Sequence, residues 1–149
     1  MQKFKCIFCQ IAKDRTLVPE QRLLDQQNYY LLLSLHPQTK GHALLVPKKH
    51  RSSLSEMPKL LQGFLFQEAV KMAGLIQSTL KARAYVLRVN NDVFKLENKD
   101  SGHVGHIHIH IIPRYKSGEK LLEKPKQASK KTLMSLRNKL ASSLEECII

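Results

Sequence analysis

Three histidines, His106, His108 and His110, occupy every second position of one short segment, with isoleucines between and after them. In a β-strand, this alternation places the three imidazoles on one face and the isoleucines on the other. Imidazoles on one face can ligate a metal, or one can attack an electrophile while its neighbours orient it. Three surface histidines on a half-exposed strand are the alternative, but unpartnered imidazoles beside an apolar strand are costly. The spacing therefore indicates a functional site, either metal-binding or nucleophilic.

A second group with chemical potential is the pair Cys6 and Cys9, which are separated by two residues. In a reducing compartment this spacing indicates metal binding or redox chemistry rather than a structural disulfide. Two buried apolar residues are the third interpretation. Tetrahedral zinc takes four cysteine and histidine ligands, and the seven histidines of the chain could complete such a site.

Length and composition predict one globular domain over residues 1–149. With 42% hydrophobic and 25% charged residues, the composition excludes a disordered chain. A length of 149 residues is enough for one compact domain and too short for two ordinary ones. No stretch approaches the roughly 18 apolar residues of a membrane helix, and the N-terminus has no signal-peptide core. We therefore expect a cytoplasmic protein that does not contact the membrane.

The formal net charge of +13 is a further property of the whole chain. A surface this positive attracts phosphates, nucleic acid or acidic membranes through its summed potential. Many of the lysines lie in residues 116–139, within a basic C-terminal loop and helix at 116–149, away from the three histidines. A surface bias without functional focus is therefore the alternative to a nucleic-acid partner.

Hydrophobic patterning predicts the elements that must position these side chains. The predicted strands are residues 28–35, 43–46, 85–89 and 106–112. A helix is predicted from a capping box at Ser53 and Glu56 to about Thr79, and another from about Ser129. Residues 90–102 and 116–127 are predicted loops, and Pro113 is predicted to end the histidine strand. Short turns between strands, with one long helix between them and one at the end, predict an α+β domain with an antiparallel sheet.

The segment His106–Ile112 matches the histidine-triad motif, His-φ-His-φ-His-φ-φ, at every position. Residues 41–50 (GHALLVPKKH) resemble the strand segment of the same family, and residues 6–11 (CIFCQI) resemble the N-terminal motif of its zinc-containing members. The chain thus resembles the histidine-triad family over most of its length. This resemblance implies an antiparallel sheet of about five strands with one long central helix and a C-terminal helix, in a homodimer.

The resemblance also implies a nucleotide hydrolase or transferase that acts on purine nucleotides. Its substrates would be nucleoside phosphoramidates, dinucleoside polyphosphates or related conjugates. His108 would attack the α-phosphorus and form a nucleotidyl-histidine, with His106 and His110 as the other catalytic residues and His110 contacting the phosphate. A nucleotide- or nucleic-acid-binding module with weak or lost turnover is the alternative, and a zinc-stabilised scaffold is the third possibility.

In the zinc-containing members that the chain resembles, the metal has four protein ligands. Carried over, these are Cys6, Cys9, His50 and His106, and a site with four protein ligands is structural because no position is left for substrate. The competing role for His50 is a hydrogen bond within the triad network, as in relatives without zinc.

The substrate pocket implied by the resemblance departs from the family pattern. Ser34 stands at the position of the ribose-binding aspartate and offers one neutral oxygen where a carboxylate offers two charged ones. His103 is the local candidate in place of a glutamine before the triad, and Asn90 or Asn91 is the candidate phosphate-side asparagine. The base pocket would be lined by apolar residues that could equally be plain core: Phe8, Ile11, Leu33 and Leu35.

Overall fold

A computed structural model describes residues 6–96 and 105–146. The strands are β1 (Arg22–Asp25), β2 (Tyr29–Leu33), β3 (Ala43–Pro47), β4 (Ala84–Val89) and β5 (Ile109–Arg114). The α-helices are α1 (Ile7–Lys13), α2 (Lys59–Leu80) and α3 (Lys130–Glu145). All strand pairs are antiparallel, and their order is β1-β2-β3-β5-β4. This arrangement confirms the predicted α+β fold with its long central and C-terminal helices.

The two faces of the sheet have different roles. On one face, which we call the helical face, alternate residues of β2, β3 and β5 pack with α2 and α3 in the main core; they include Leu31, Leu33, Ala43, Leu45 and Ile111. On the other face, Tyr30, Leu32, Leu44 and Val46 pack around Ile11 of α1. Because Leu44 pairs with His110, the triad imidazoles share this second face, which we call the histidine face.

The histidine strand differs from its prediction at both ends. Strand pairing starts at Ile109 and continues through Pro113 to Arg114, so the prediction that Pro113 ends the strand is wrong. The carbonyl of Pro113 accepts a hydrogen bond from Thr39, on the side of β3, and in a strand the nitrogen and carbonyl of one residue face the same side. Since pairing with β3 stops at Ile111, the missing N–H of Pro113 removes no bond to a neighbouring strand.

The long helix begins later than its capping box predicted. Ser53 caps a 3-10 turn at Leu54–Glu56, and its side chain accepts from the Ser55 N–H; α2 starts only at Lys59. Met57 has an extended backbone, because the ring of Pro58 disfavours the helical conformation in the preceding residue. The C-terminal helix follows its prediction, with the Ser129 hydroxyl accepting from the Thr132 N–H.

Two elements were missing from the sequence prediction: α1, which lies on the histidine face, and the edge strand β1. The helix α1 has seven residues and β1 has four, too few for hydrophobic periodicity to reveal. Within the described part of the chain, no helix is long and apolar enough to cross a bilayer.

Candidate functional site

The middle histidine of the triad is oriented by its own backbone. The Nδ1 atom of His108 lies 2.8 Å from the carbonyl oxygen of His106. A carbonyl can only accept, so Nδ1 carries the proton and, in the neutral ring, the lone pair lies on Nε2. The backbone therefore selects the tautomer in which the lone pair of the neutral His108 ring lies on Nε2.

The third histidine is oriented by His42, a residue that the sequence prediction did not single out. The Gln38 N–H donates to Nδ1 of His42 at 2.9 Å, so the proton of His42 lies on Nε2. That Nε2 lies 3.0 Å from Nδ1 of His110 and donates to it. The proton of neutral His110 is consequently on Nε2. The signal that could have found His42 is its place two residues before Leu44, which puts it on the histidine face.

Burial keeps these imidazoles neutral near pH 7. Desolvation, followed by the nearby positive charge of Arg88, lowers the pKa of His42 to about 4. Desolvation, followed by the nearby His108, lowers the pKa of His110 to about 3. Burial also lowers the pKa of His106 to about 4, against the opposing effect of its hydrogen bond to Pro47. The tautomers are therefore set by hydrogen bonds between neutral rings.

A cleft opens beside the triad. It is lined by Phe8, Ser52, Asn90, Val93, Phe94, Gly105 and Ile107 together with the three triad histidines. The Phe8 ring lies against His108, with 5.1 Å between ring centroids. A Cβ atom on Gly105 would lie 2.2 Å from the ring of Phe94, so only glycine allows this ring to close one wall of the cleft. Of the predicted pocket residues, Phe8 and Asn90 line this cleft.

The two candidate asparagines have different positions. Asn90 follows β4 and lines the cleft. The side-chain oxygen of Asn91 instead accepts from the Leu54 N–H at 2.7 Å and ties the loop to the 3-10 turn. The structure therefore places Asn90, and not Asn91, beside the triad.

The other predicted pocket residues are dispersed. Ile11 is buried in the small core beneath α1, on the histidine face. Leu33 is buried in the helical-face core and Leu35 packs against that core, and neither residue lines the cleft beside the triad. Adjacent residues of a strand point to opposite faces, which is why Leu33 and Ser34 could not both face the cleft. His103 lies outside the described residues.

Ser34 lies next to the relay that orients His110. Its backbone N–H donates to the carbonyl of His42 at 2.8 Å, and its hydroxyl accepts from the His36 N–H at 3.3 Å. Ser34 is 8% exposed. The position predicted to face the ribose is thus a small, nearly buried polar group beside the histidine face.

Four sulfur and nitrogen atoms converge at the start of the histidine segment. Cys6, Cys9, His50 and His106 each offer one ligand atom, and these atoms lie within 4.8 Å of one another. The Nδ1 atom of His106 lies 3.4 Å from the Cys6 sulfur and 3.2 Å from Nδ1 of His50, and the Cys9 sulfur lies 3.3 Å from the same His50 atom. The predicted ligand set is therefore brought together by α1, the turn after β3 and the segment before β5.

The donor geometry fits zinc. Tetrahedral zinc with bonds of about 2.3 Å to sulfur and about 2.0 Å to nitrogen separates nitrogen from sulfur by about 3.5 Å, and two nitrogens by about 3.3 Å. The Nε2 atom of His106 donates to the Pro47 carbonyl at 2.7 Å, which places the lone pair of the neutral ring on Nδ1, the atom that faces the cysteines. The cluster is compatible with a closed structural zinc site, and a hydrogen bond within the triad is not needed to explain His50.

Two curated relatives and one solved structure are similar to this chain. It is 32% identical over 109 residues to adenosine 5'-monophosphoramidase HNT1 of Saccharomyces cerevisiae, covering 73% of this chain and 62% of that protein. It is 29% identical to adenylylsulfatase HINT3 of Arabidopsis thaliana, covering 73% of this chain and 52% of that protein. The aligned segments thus span less than two thirds of both relatives.

The similar structure is that of a zinc-bound histidine triad family protein from Mycobacterium smegmatis. Its TM-score is 0.72 at 25% identity, and the match covers 96% of this chain and 97% of that one. Residues 15–117 also match the HIT domain, a segment that contains the whole triad, His42 and His50. Since this match covers more than half of the sequence, the chain belongs to the HIT domain family.

Proposed function

We propose that this protein is a nucleotide hydrolase or nucleotidyltransferase that acts at the α-phosphate of purine nucleotide conjugates. The observation that carries the proposal is the 2.8 Å contact between Nδ1 of His108 and the carbonyl of His106, which puts the nucleophilic lone pair on Nε2. The relatives named as an adenosine monophosphoramidase and an adenylylsulfatase support the same chemistry.

The reaction proceeds in two displacements at phosphorus. The Nε2 lone pair of His108 forms a bond to the α-phosphorus, while the bond from phosphorus to the leaving group breaks and the leaving group departs with its electron pair and takes a proton from solvent. Water then attacks phosphorus, loses a proton to solvent, and the N–P bond breaks, which returns the lone pair to His108. Throughout, the Nδ1–H group of His108 keeps donating its hydrogen bond to the His106 carbonyl, which stabilises the positive ring of the intermediate.

The neighbouring imidazoles stabilise the charge on the phosphoryl group. The relay from Gln38 through His42 places the proton of His110 on Nε2, as a donor to a phosphoryl oxygen. Because His110 is already oriented and largely desolvated, this donor needs no reorganisation as negative charge develops. Asn90, which also lines the cleft, contributes a second neutral donor to the phosphate.

We further propose that Cys6, Cys9, His50 and His106 hold one structural zinc ion. The ion would take no part in the reaction, since four protein ligands leave no coordination position open for substrate or water. Its role would be to fix His106, whose backbone carbonyl in turn orients His108.

A homodimer is part of the same proposal. The strand β4 lies at the edge of the sheet, and an edge strand with free backbone groups is a template for pairing. Beside it, α2 exposes apolar side chains, with Phe66 58% exposed and Leu60 91% exposed. An apolar groove lined by Phe66, Val89 and Ile107 connects the two elements. Sedimentation analysis should give twice the chain mass for the wild type and a monomer for Phe66→Glu; a monomeric wild type would refute the dimer.

Two observations favour the alternative of a binding module with weak turnover. Ser34 offers one neutral oxygen at the position of the family's ribose-binding carboxylate. The formal net charge of +13 would also attract a polyanion. In this alternative the chain binds nucleotides or nucleic acid and does not form the covalent intermediate.

Intact-mass measurement separates the two functions. The wild-type protein incubated with adenosine 5'-phosphoramidate should gain the mass of one adenylyl group in rapidly quenched samples, and His108→Ala should show neither this adduct nor turnover. Loss of activity by several orders of magnitude is expected because the variant lacks the attacking atom. A His108→Ala variant that keeps a tenth of the activity would refute the nucleophile, and AMP binding without any adduct or turnover in the wild type would favour the binding module.

A further inference from the structure

One cation on the histidine face has no role in the chemistry proposed so far. Arg88 lies on β4 and pairs with His110 in the antiparallel register. Paired side chains of neighbouring strands share a face, with Cβ atoms about 5 Å apart. Arg88 is therefore a neighbour of the imidazole that we assign to the phosphate.

Among the described residues, no carboxylate is paired with Arg88. Its Nε atom is buried, and across residues 6–96 and 105–146 it has no hydrogen-bond partner, nor does a carboxylate form an ion pair with its guanidinium. Instead, its charge lies close enough to two neutral imidazoles to lower the pKa of His42 and of His110. A half-buried guanidinium with an unused donor is suited to an acceptor that arrives with a ligand, and its planar fork matches the oxygens of a phosphate.

The strand order indicates which part of a substrate would reach Arg88. Ser34 and His42 lie on the side of β2 and β3, where the ribose is expected. The strand β5, which begins directly after His108, lies between β3 and β4. A nucleotide whose α-phosphorus is at His108 therefore extends towards β4 with the group that departs. Asn90 stands beside His108 on that side, and Arg88 is two residues earlier on the same face.

We propose that Arg88 binds a second phosphate, attached to the α-phosphate on the leaving-group side, and so selects nucleoside polyphosphates and dinucleoside polyphosphates over phosphoramidates. This assignment rests on the proposed function. A phosphoramidate loses an amine that bears no negative charge, whereas a polyphosphate loses an anion whose charge grows as its bond to phosphorus breaks. Arg88 stabilises that charge, and it does so only for the second class of substrate.

The test compares two substrates that share a nucleoside and the proposed intermediate: adenosine 5'-phosphoramidate and diadenosine tetraphosphate. Arg88→Met keeps the apolar stem and removes the charge, Arg88→Lys keeps the charge without the planar fork, and Arg83→Met removes an exposed charge at the far end of β4 as a matched control. Arg88→Met should lower kcat/KM for the tetraphosphate at least tenfold more than for the phosphoramidate. Arg88→Lys should recover part of this selectivity, and Arg83→Met should leave the ratio of the two substrates unchanged.

An equal loss for both substrates, or an unchanged ratio in Arg88→Met, would overturn the assignment. Calorimetry with AMP and α,β-methylene ADP tests the role of Arg88 separately from the proposed function. The second ligand adds one phosphoryl group through a methylene bridge, and its binding is measured without turnover. If the wild type hydrolyses neither substrate, the proposed function fails, and the calorimetric ratio decides the role of Arg88. The wild type should then bind α,β-methylene ADP about tenfold more tightly than AMP, and Arg88→Met should lose this preference. The same ratio of the two dissociation constants in both proteins would refute the second-phosphate site.

Discussion

Replacing His42 by phenylalanine tests the relay that sets the tautomer of His110. His42 is 3% exposed, so phenylalanine fills a similar buried space but can neither accept from the Gln38 N–H nor donate to His110. Two hydrogen bonds are lost, and each buried partner left unsatisfied costs about 1–3 kcal/mol. We expect the free energy of unfolding to fall by about 2–4 kcal/mol, with the fold retained.

The effect on catalysis should be smaller than the loss of His110 itself. A hydrogen bond worth about 0.5–1.5 kcal/mol favours one tautomer by roughly two- to tenfold, so its removal should lower kcat/KM by a similar factor. His110→Ala removes the donor altogether and should cost about 10²–10³-fold, the loss typical for one oxyanion donor. Comparing the loss of kcat/KM in the two variants separates the effect of orienting the His110 ring from the effect of having the ring at all.

Nitrogen-15 spectra of the ring of His110 give the direct readout. In the wild type, Nε2 should have the chemical shift of a protonated nitrogen and Nδ1 that of an unprotonated one. In His42→Phe both signals should move towards the average of the two tautomers. Wild-type His110 with its proton on Nδ1 would refute the relay, and so would a His42→Phe variant as inactive as His110→Ala but with an unchanged tautomer.

Three further predictions follow from the described geometry. The purified protein should contain about one zinc per chain, and Cys9→Ser should lose the metal and melt at a lower temperature, because a ligand that binds the folded state adds to its stability; metal analysis without zinc would contradict this. The pKa of His42 is about 4 in the folded protein and about 6.5 in an unfolded chain, so the unfolded chain binds more protons between these two pH values. The stability that neutral His42 contributes is therefore complete above pH 6.5 and falls by up to about 3 kcal/mol towards pH 4. Denaturant titrations should therefore show a steeper loss on acidification for the wild type than for His42→Phe, and parallel curves would refute the buried neutral imidazole. Ser34→Asp should tighten ribonucleoside monophosphates by about 1 kcal/mol but leave 2′,3′-dideoxy ligands unimproved, because only the former offer hydroxyls to a carboxylate; calorimetry showing equal weakening of both ligands would mean that Ser34 does not face the sugar.

The parts of the site that could be predicted from sequence are those fixed by residue type and local spacing. Alternation alone put His108 and His110 on one face, and resemblance to the family supplied a four-residue ligand set that the structure brings together. Leu33 instead lies in the helical-face core, because the face of a residue in β2 depends on the pairing register with β3, which joins Leu33 to Ala43 and not to a histidine-face residue. The strand end at Pro113 was mispredicted for a related reason, since only the end of the β3 pairing makes a missing N–H harmless there.

The three triad histidines have the same spacing, but His106 and His110 carry the proton on Nε2 whereas His108 carries it on Nδ1, and different neighbouring atoms set these tautomers. The Pro47 carbonyl fixes the lone pair of His106 on Nδ1, towards the cysteines, and the His106 carbonyl fixes that of His108 on Nε2. Both are backbone atoms, so a single side-chain substitution does not remove them. The tautomer of His110 instead depends on the side chain of His42. Of the three tautomers along this segment, only that of His110 can therefore be altered by one side-chain substitution that leaves every triad residue in place.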